Sequence, residues 1–193
     1  MYEFIKGSVA SLTPATAVVE AGGIGYLVNI SLQTYSKIGK EPSVKLLLHH
    51  VVREDAQLFY GFFDEEEREV FRQLISVNGI GVNTARMMLS SLSSADVVAA
   101  IEQEDVSRLK GVKGIGLKTA QRIIVDLKGK VHAATLSGKL PSTPASASRE
   151  EAMSALITLG FARAAVEKTL DTLASEGLNG SVEELIKQSL KRL

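Results

Sequence analysis

The chain has 193 residues, with 22 acidic and 22 basic residues, so its formal net charge is zero at pH 7. Hydrophobic residues make up 45% of the composition, which is enough for packed cores, but the apolar runs are too short to cross a bilayer. The absence of cysteine excludes a disulfide framework and thiolate chemistry. The N-terminal Met1-Tyr2-Glu3-Phe4 lacks the form of a signal peptide, so we expect a cytoplasmic protein without a membrane anchor.

The charges are unevenly distributed along the chain. Between Asp64 and Asp105 there are nine acidic and three basic residues, whereas between Arg108 and Lys130 there are seven basic residues and one aspartate. Zero net charge gives no general attraction to a polyanion, so any nucleic-acid surface must be a local face of the protein.

The first 62 residues have the pattern of a small all-β domain. Five segments rich in Val, Ile, Leu and aromatic residues are separated by turn residues such as Gly22-Gly23 and Glu54-Asp55. This arrangement favours a closed OB-like barrel, with an SH3-like barrel as the alternative. The predicted strands are Tyr2–Ala10, Ala15–Ala21, Gly25–Ser31, Val44–Arg53 and Leu58–Phe62.

A helical pattern replaces the β pattern at Asp64. Asp64 and Glu67 have the spacing of a capping box, and apolar residues recur at helical spacing from there to about Lys130. Residues 63–130 are therefore predicted to form a helical domain after the barrel at 1–62.

The C-terminal part changes composition twice. Residues 131–148 consist mainly of Ala, Ser, Thr, Pro and Gly, which is typical of a flexible linker. Two pairs with capping-box spacing follow, Ser148 with Glu151 and Ser181 with Glu184. Residues 149–193 are predicted to form a bundle of three short helices, and the whole chain belongs to the α+β class.

A repeat with an offset of 35 residues lies inside the helical region. The segment Leu74–Leu92 aligns with Leu109–Leu127, and eight of nineteen positions agree. Both copies contain Gly-Ile-Gly followed by Thr-Ala. Two matching copies are far less expected by chance than one, so we interpret them as duplicated hairpins between helices.

Gly-Ile-Gly between two helices predicts an anion site. Glycine permits positive φ and close approach of another backbone, and the amides at the start of the next helix bind anions with the help of the helix dipole. A nearby basic residue adds a charged hydrogen bond, and such contacts position a phosphate backbone without reading bases. The candidate DNA-binding residues are Asn78, Gly79, Gly81, Asn83, Thr84, Arg86, Lys110, Lys113, Gly114, Gly116, Lys118, Thr119 and Arg122.

Two other glycine-rich motifs fit less well. A Rossmann fingerprint needs a third glycine where Thr84 and Thr119 stand, and no strand precedes either copy. A P-loop needs a lysine where Leu117 stands. His49 and His50 are adjacent in a predicted strand and point to opposite faces, so they are not expected to share a metal ion. No cluster of His, Cys and Asp has the spacing of zinc ligands, and we expect neither a metal nor a cofactor.

The repeat resembles the tandem helix-hairpin-helix domain of DNA repair and recombination proteins, and the full chain is similar to the RuvA family of Holliday-junction branch-migration proteins. Residues 2–7 look like the start of the family's OB-fold, and residues 53–62 resemble its acidic pin and closing strand. The two hairpins, the linker and the small C-terminal helical domain, similar to ubiquitin-associated bundles, complete the resemblance.

The resemblance implies a non-catalytic subunit that binds four-way DNA junctions in recombination, repair and the SOS response to DNA damage. It implies a homotetramer, present once or twice on the junction, that recruits the hexameric ATPase motor RuvB and assembles with the resolving nuclease RuvC. It assigns Glu54 and Asp55 to a pin that repels phosphates. The loop Leu159-Gly160-Phe161 either docks the motor through Leu159 and Phe161 or simply turns the chain.

The sequence departs from the family pattern at both hairpins. Asn83 stands where a lysine is usual, and Leu117 precedes Lys118 where two lysines are common. The first hairpin is therefore expected to rely on backbone amides, with help from Arg86.

Two alternative functions remain open from the sequence. Some helix-hairpin-helix proteins are glycosylases or lyases with a catalytic lysine and aspartate, for which Lys113 and Asp126 are the candidates here. The other alternative is a general adaptor for a different repair enzyme, which would bind junction and duplex DNA equally.

Overall fold

The computed structural model describes residues 2–131, 144–178 and 180–193. The chain divides into two compact units, residues 1–138 and residues 139–193. The first unit contains the β-barrel together with the helices that carry the duplicated hairpins. The second contains the C-terminal helices.

The N-terminal barrel is closed, with the strand order β1-β2-β3-β5-β4. Strands β3 and β5 pair in parallel, and the other neighbours are antiparallel. This topology agrees with the predicted OB-like barrel. The strands are β1 Phe4–Leu12, β2 Thr16–Ala21, β3 Ile24–Ile30, β4 Ser43–Val52 and β5 Gln57–Phe62.

Alternating apolar residues fill the interior of the barrel. Ala17 and Val19 on β2 face inward with Val28 and Ile30 on β3, as the two-residue period of a strand requires. Gly61 on β5 is needed for close packing, because a Cβ there would lie 2.5 Å from Cγ1 of Val28.

A short helix, α1 (Leu32–Ile38), lies between β3 and β4 and was not predicted. Ser31 caps it by accepting a hydrogen bond from the backbone N–H of Thr34, and Ile38 is fully buried in the barrel core. Seven residues span only about two turns, too few for a helical period to stand out in the sequence.

The central helices share one core with an edge of the barrel. Tyr60 and Phe62 of β5 pack in the same cluster as Phe71, Met88 and Ile123. This common core joins the barrel to the hairpin helices. The helices are α2 Glu65–Ser76, α3 Val82–Ser91, α4 Ser94–Glu102, α5 Val106–Lys110 and α6 Leu117–Leu127.

The capping-box prediction at the start of α2 is half correct. The Asp64 carboxylate accepts a hydrogen bond from the Glu67 backbone N–H at 2.9 Å, as predicted. The Glu67 side chain does not return to Asp64. It turns into the protein and accepts hydrogen bonds from the hydroxyls of Ser31 and Thr34.

The C-terminal unit contains three described helices, α7 (Pro144–Thr158), α8 (Arg163–Ser175) and α9 (Val182–Ser189). Their core consists of Ala152, Leu156, Val166, Leu170, Leu173 and Leu185. The predicted capping box of Ser181 and Glu184 is present in full.

The predicted linker, residues 131–148, is wrong at both ends. Val131 is buried in the core of the first unit, and residues 144–148 belong to α7. The predicted cap at Ser148 is therefore wrong too, because the helix begins one turn earlier at Pro144, a residue type that the first helical turn tolerates. The remainder of the predicted linker, 132–143, lies outside the described residues.

Candidate nucleic-acid interface

The two predicted hairpins have nearly the same backbone conformation. The first glycine of each copy lies in the left-handed region, with φ of +96° at Gly79 and +91° at Gly114. A side chain would be strained there, which explains the glycine at both positions and confirms that these hairpins need positive φ.

The isoleucine of each hairpin is an anchor. Ile80 and Ile115 are each 5% exposed and lie in the shared helical core. Their backbone N–H groups donate to the carbonyls of Val77 and Val112 at 3.0 and 3.1 Å, respectively. The two turns are thus closed by equivalent bonds, as expected of a structural duplication.

The second glycine of each hairpin begins a helix without a side-chain cap. Gly81 and Gly116 are the N-cap residues of α3 and α6, with φ of −86° and −85°. A Cβ added at either position would meet no protein atom within 4 Å. Neither conformation nor packing within the described chain requires glycine here, so its small size keeps open space in front of amides that lack helical partners. That space suits an anion.

The basic run of the second hairpin separates into paired and unpaired cations. Arg108 pairs with Asp96, Arg122 lies 3.5 Å from Asp126, and Lys128 pairs with Glu104. The exposed side chains of Lys110, Lys113 and Lys118 form no ion pair with any described residue. The positive field at this hairpin therefore comes chiefly from these three lysines. Arg122, a predicted DNA-binding residue, also faces Asp126 on the same helix, which partly offsets its charge.

The first hairpin has no lysine. Asn78 is exposed beside Gly79, and exposed Asn83 in the first turn of α3 accepts a hydrogen bond from the Tyr60 hydroxyl at 3.3 Å. Thr84, like Thr119 in the second copy, is half-buried. Polar groups and backbone amides therefore form this site.

Arg86, one of the predicted DNA-binding residues, forms hydrogen bonds to the barrel. Its Nη1 donates to the Ala15 carbonyl at 3.0 Å and to Oδ1 of Asn29 at 3.3 Å, both on the barrel. Arg86 thus links α3 to the barrel, a contact that the sequence did not indicate because the partners are 57 and 71 residues away.

Glu54 and Asp55 occupy the tip of the β4–β5 hairpin, as predicted. The Arg53 N–H donates to the Ala56 carbonyl at 2.8 Å and closes the turn, and both carboxylates are exposed. The two acids therefore project from a well-formed barrel hairpin.

The predicted motor-contact residues lie in the loop between α7 and α8. Leu159 is 61% exposed, whereas Phe161 packs against the core of the C-terminal unit. Gly160 between them has φ of +101° and turns the chain. Leu159 is thus the accessible member of the pair.

Polar contacts between α1 and the hairpin helices were not predicted from the sequence. The Gln33 amide nitrogen donates to the carbonyls of Leu89 and Leu92 at 2.7 and 2.6 Å. The buried Glu67 carboxylate, bonded to Ser31 and Thr34, connects α1 to α2, and burial raises the pKa of this carboxyl. These contacts are long-range, so no local sequence signal identifies them.

The two adjacent histidines of β4 do not lie together in one site. His49 lies beside Phe71 and His50 stacks on Phe59, on opposite faces of β4 as predicted. The described ranges contain no group of three or more His, Cys, Asp or Glu residues that could hold a metal ion.

In the same part of the chain, no helix has the length and apolar character needed to span a membrane.

A closed barrel that shares a core with a duplicated hairpin unit defines a barrel-plus-tandem-helix-hairpin-helix protein. Three family models match the chain: "RuvA N terminal domain" over residues 1–61, "SAM-like Helix-hairpin-helix tandem" over 71–130 and "RuvA, C-terminal domain" over 147–193. The chain belongs to the RuvA family.

Curated relatives match along the full length of the chain. It is 52% identical to a protein of Bacteroides fragilis over 202 aligned residues, and 50% identical to one of Bacteroides thetaiotaomicron over 201. A protein of Christiangramia forsetii is 44% identical over 193 residues. All three cover 100% of both chains and are named Holliday junction branch migration complex subunit RuvA.

Proposed function

We propose that the chain binds four-way DNA junctions through their phosphate backbones, independently of base sequence, as the DNA-binding subunit of a branch-migration complex. The pair of equivalent open helix N-termini at Gly81 and Gly116 is the observation that carries this proposal. Each offers uncapped amides and open space, and the duplication presents two such sites on one shared core.

The charge distribution supports phosphate contact at these sites. Lys110, Lys113 and Lys118 surround the second hairpin without acidic partners among the described residues, so they are available to an anionic ligand. Backbone amides and lysines contact phosphates without distinguishing bases, which gives sequence-independent binding.

The exposed acidic turn supports a preference for junctions. Glu54 and Asp55 repel phosphates, so they disfavour continuous duplex beside the barrel and favour a crossover whose strands diverge there. Four subunits around one junction, as the family resemblance implies, bring eight such carboxylates to its centre.

The relatives are named as subunits of a complex, which supports a partner protein for this chain as well. We assign motor recruitment to the C-terminal unit, with exposed Leu159 as a contact for the RuvB ATPase. The homotetramer and the assembly with RuvC follow from the family resemblance. The chain itself performs no catalysis in this proposal and delivers the motor to the junction.

The proposal is tested by fluorescence anisotropy with a synthetic four-way junction and a duplex of matched length and sequence. The junction is expected to bind at least tenfold more tightly at the same salt concentration. Equal affinities would rule out structure-specific binding and favour a general adaptor. Base excision or strand nicking by the purified chain would instead indicate an enzyme.

A further inference from the structure

The barrel holds the C-terminal end of α3 through α1. The Gln33 side chain donates to the carbonyls of Leu89 and Leu92, and the Leu32 N–H donates to Oγ of Ser90 at 3.1 Å. Carbonyls at a helix end lack helical partners, so Gln33 satisfies groups that would otherwise need water. This fixes one end of the helix that begins at the first hairpin.

Arg86 holds the middle of the same helix. Its Nη1 donates to Ala15 and Asn29, and Asn29 is itself fixed because its Nδ2 donates to the Phe59 carbonyl at 3.1 Å. Both acceptors of Arg86 are neutral, and among the described residues no carboxylate forms an ion pair with it. The bonds therefore orient α3 without neutralising the arginine.

The beginning of α3 is held as well, by the bond from the Tyr60 hydroxyl to Asn83. The second hairpin differs: within the described residues, α5 and α6 receive no hydrogen bond from the barrel and pack on other helices. Among the described residues, the hydrogen bonds from the barrel thus reach the helix of the first copy and not that of the second, although both copies share the apolar core.

The selective attachment coincides with a difference in charge. Asn83 occupies the position that corresponds to Lys118 in the second copy. The first site therefore lacks the cation that attracts phosphate at the second. Fixing the hydrogen-bond donors of a site in advance lowers the conformational entropy lost on binding. This gain in affinity can offset the missing charge at the first site.

We propose that Arg86 and Gln33 are positioning residues that fasten α3 to the barrel and thereby pre-organise the first hairpin for phosphate binding. This inference rests on the proposed function for its consequence on DNA. The attachment itself is a property of the free protein and is tested without DNA.

The first experiment is hydrogen exchange on the free full-length chain. Arg86→Met retains the aliphatic stem but removes the charge and the donors, and Gln33→Ala removes the other attachment. Each variant is expected to speed amide exchange at least fivefold in residues 85–91 of α3 and to leave the corresponding residues 120–126 of α6 unchanged. Unchanged exchange in α3 in both variants would overturn the inference.

The second experiment measures junction affinity as a function of salt. Both variants are expected to lose about three- to tenfold in affinity, the effect of one or two hydrogen bonds, with an unchanged slope of log affinity against log salt. Arg86→Lys, which can still donate to Ala15, is expected to restore most of the affinity. Lys118→Ala is the comparison, and it should make this slope less steep by about the amount that one phosphate contact contributes.

The outcomes separate the alternatives. If Arg86→Met lowers the salt slope by about one contact while Gln33→Ala has no effect, Arg86 is a phosphate ligand and the positioning role is wrong. If wild type shows neither junction preference nor salt dependence, the proposed function fails, and the exchange result still decides whether Arg86 and Gln33 hold α3.

Discussion

Gly79 and Gly114 have φ angles of +96° and +91° in two turns that lie 35 residues apart in the sequence. Each is followed by a buried isoleucine and then by a glycine that begins a helix in open space. The duplication is therefore structural, and the two glycines within each turn have different tasks: the first permits the turn and the second leaves room for a ligand.

This division of tasks predicts different results for valine at the two glycines of the second hairpin. Gly116→Val should cost only about 0.5–1 kcal/mol of stability, the effect of a poorer N-cap, because its φ suits any residue and no protein atom is near, but it should abolish tight junction binding. Gly114→Val should cost about 1–3 kcal/mol of stability, since φ of +91° strains a β-branched residue. Urea unfolding and anisotropy measure the two effects, and normal junction affinity in Gly116→Val would exclude this hairpin as a DNA contact.

The acidic turn is expected to decrease affinity for duplex. Replacing Glu54 with Gln and Asp55 with Asn should tighten duplex binding and narrow the ratio of junction to duplex affinity. Like charges cost about 1 kcal/mol per pair at 4 Å in water, and more where water is partly excluded. The control is Glu183→Gln on α9, which removes a negative charge from the separate C-terminal unit. Weaker duplex binding by the double variant would mean that the turn is a contact instead of a repulsive element.

The buried Glu67 predicts a component of stability that depends on pH. Its folded pKa is raised above the ordinary value of 4.5, chiefly by burial, so this group stabilises the fold at low pH and loses that contribution as the pH rises above 4.5. Glu67→Gln removes the titration. The free energy of unfolding of wild type relative to the variant should therefore fall with rising pH, by at most about 1.4 kcal/mol per unit. A difference that is constant from pH 4 to pH 8 would contradict the raised pKa.

Leu159 provides a test of motor recruitment. Leu159→Ser should reduce stimulation of the RuvB ATPase on junction DNA while leaving junction affinity unchanged, because the side chain is 61% exposed and lies in the C-terminal unit. Truncation after Val131, which keeps this buried residue of the first unit, should have the same effect in stronger form. Leu178→Ser is a matched control, since Leu178 is exposed in a different loop of that unit. Full stimulation by the truncated chain would disprove the assignment.

Local sequence signals predicted the elements of this fold well. Segments rich in Val, Ile, Leu and aromatic residues between turn residues identified all five strands of the described barrel, and the repeated Gly-Ile-Gly located both hairpins. The helix α1 was missed because seven residues carry too little periodicity. The start of α7 was misplaced because Pro144 and the alanines and serines after it have the composition of a linker yet can form a first helical turn.

The site was predictable where it depends on local backbone chemistry and was not where it depends on tertiary contacts. Gly79 and Gly114 could be identified because positive φ favours glycine in any context. The contacts of Arg86 could not, since its acceptors, Ala15 and Asn29, lie in the barrel and are distant in the sequence. The contacts of Glu67 could not either, because its side chain bonds to the hydroxyls of Ser31 and Thr34, which are also distant in the sequence. Ion pairing of Arg108, Arg122 and Lys128 likewise appears only in the folded chain.

Binding through the phosphate backbone is tested by the salt dependence of affinity for two four-way junctions of unrelated sequence. We expect equal affinities for the two junctions at each salt concentration and a steep linear fall of log affinity with log salt. Lys118→Ala should reduce that slope by about one contact on both junctions, whereas Lys187→Ala in the C-terminal unit should leave it unchanged. A flat salt dependence, or affinities that differ strongly between the two sequences, would contradict binding through the phosphate backbone.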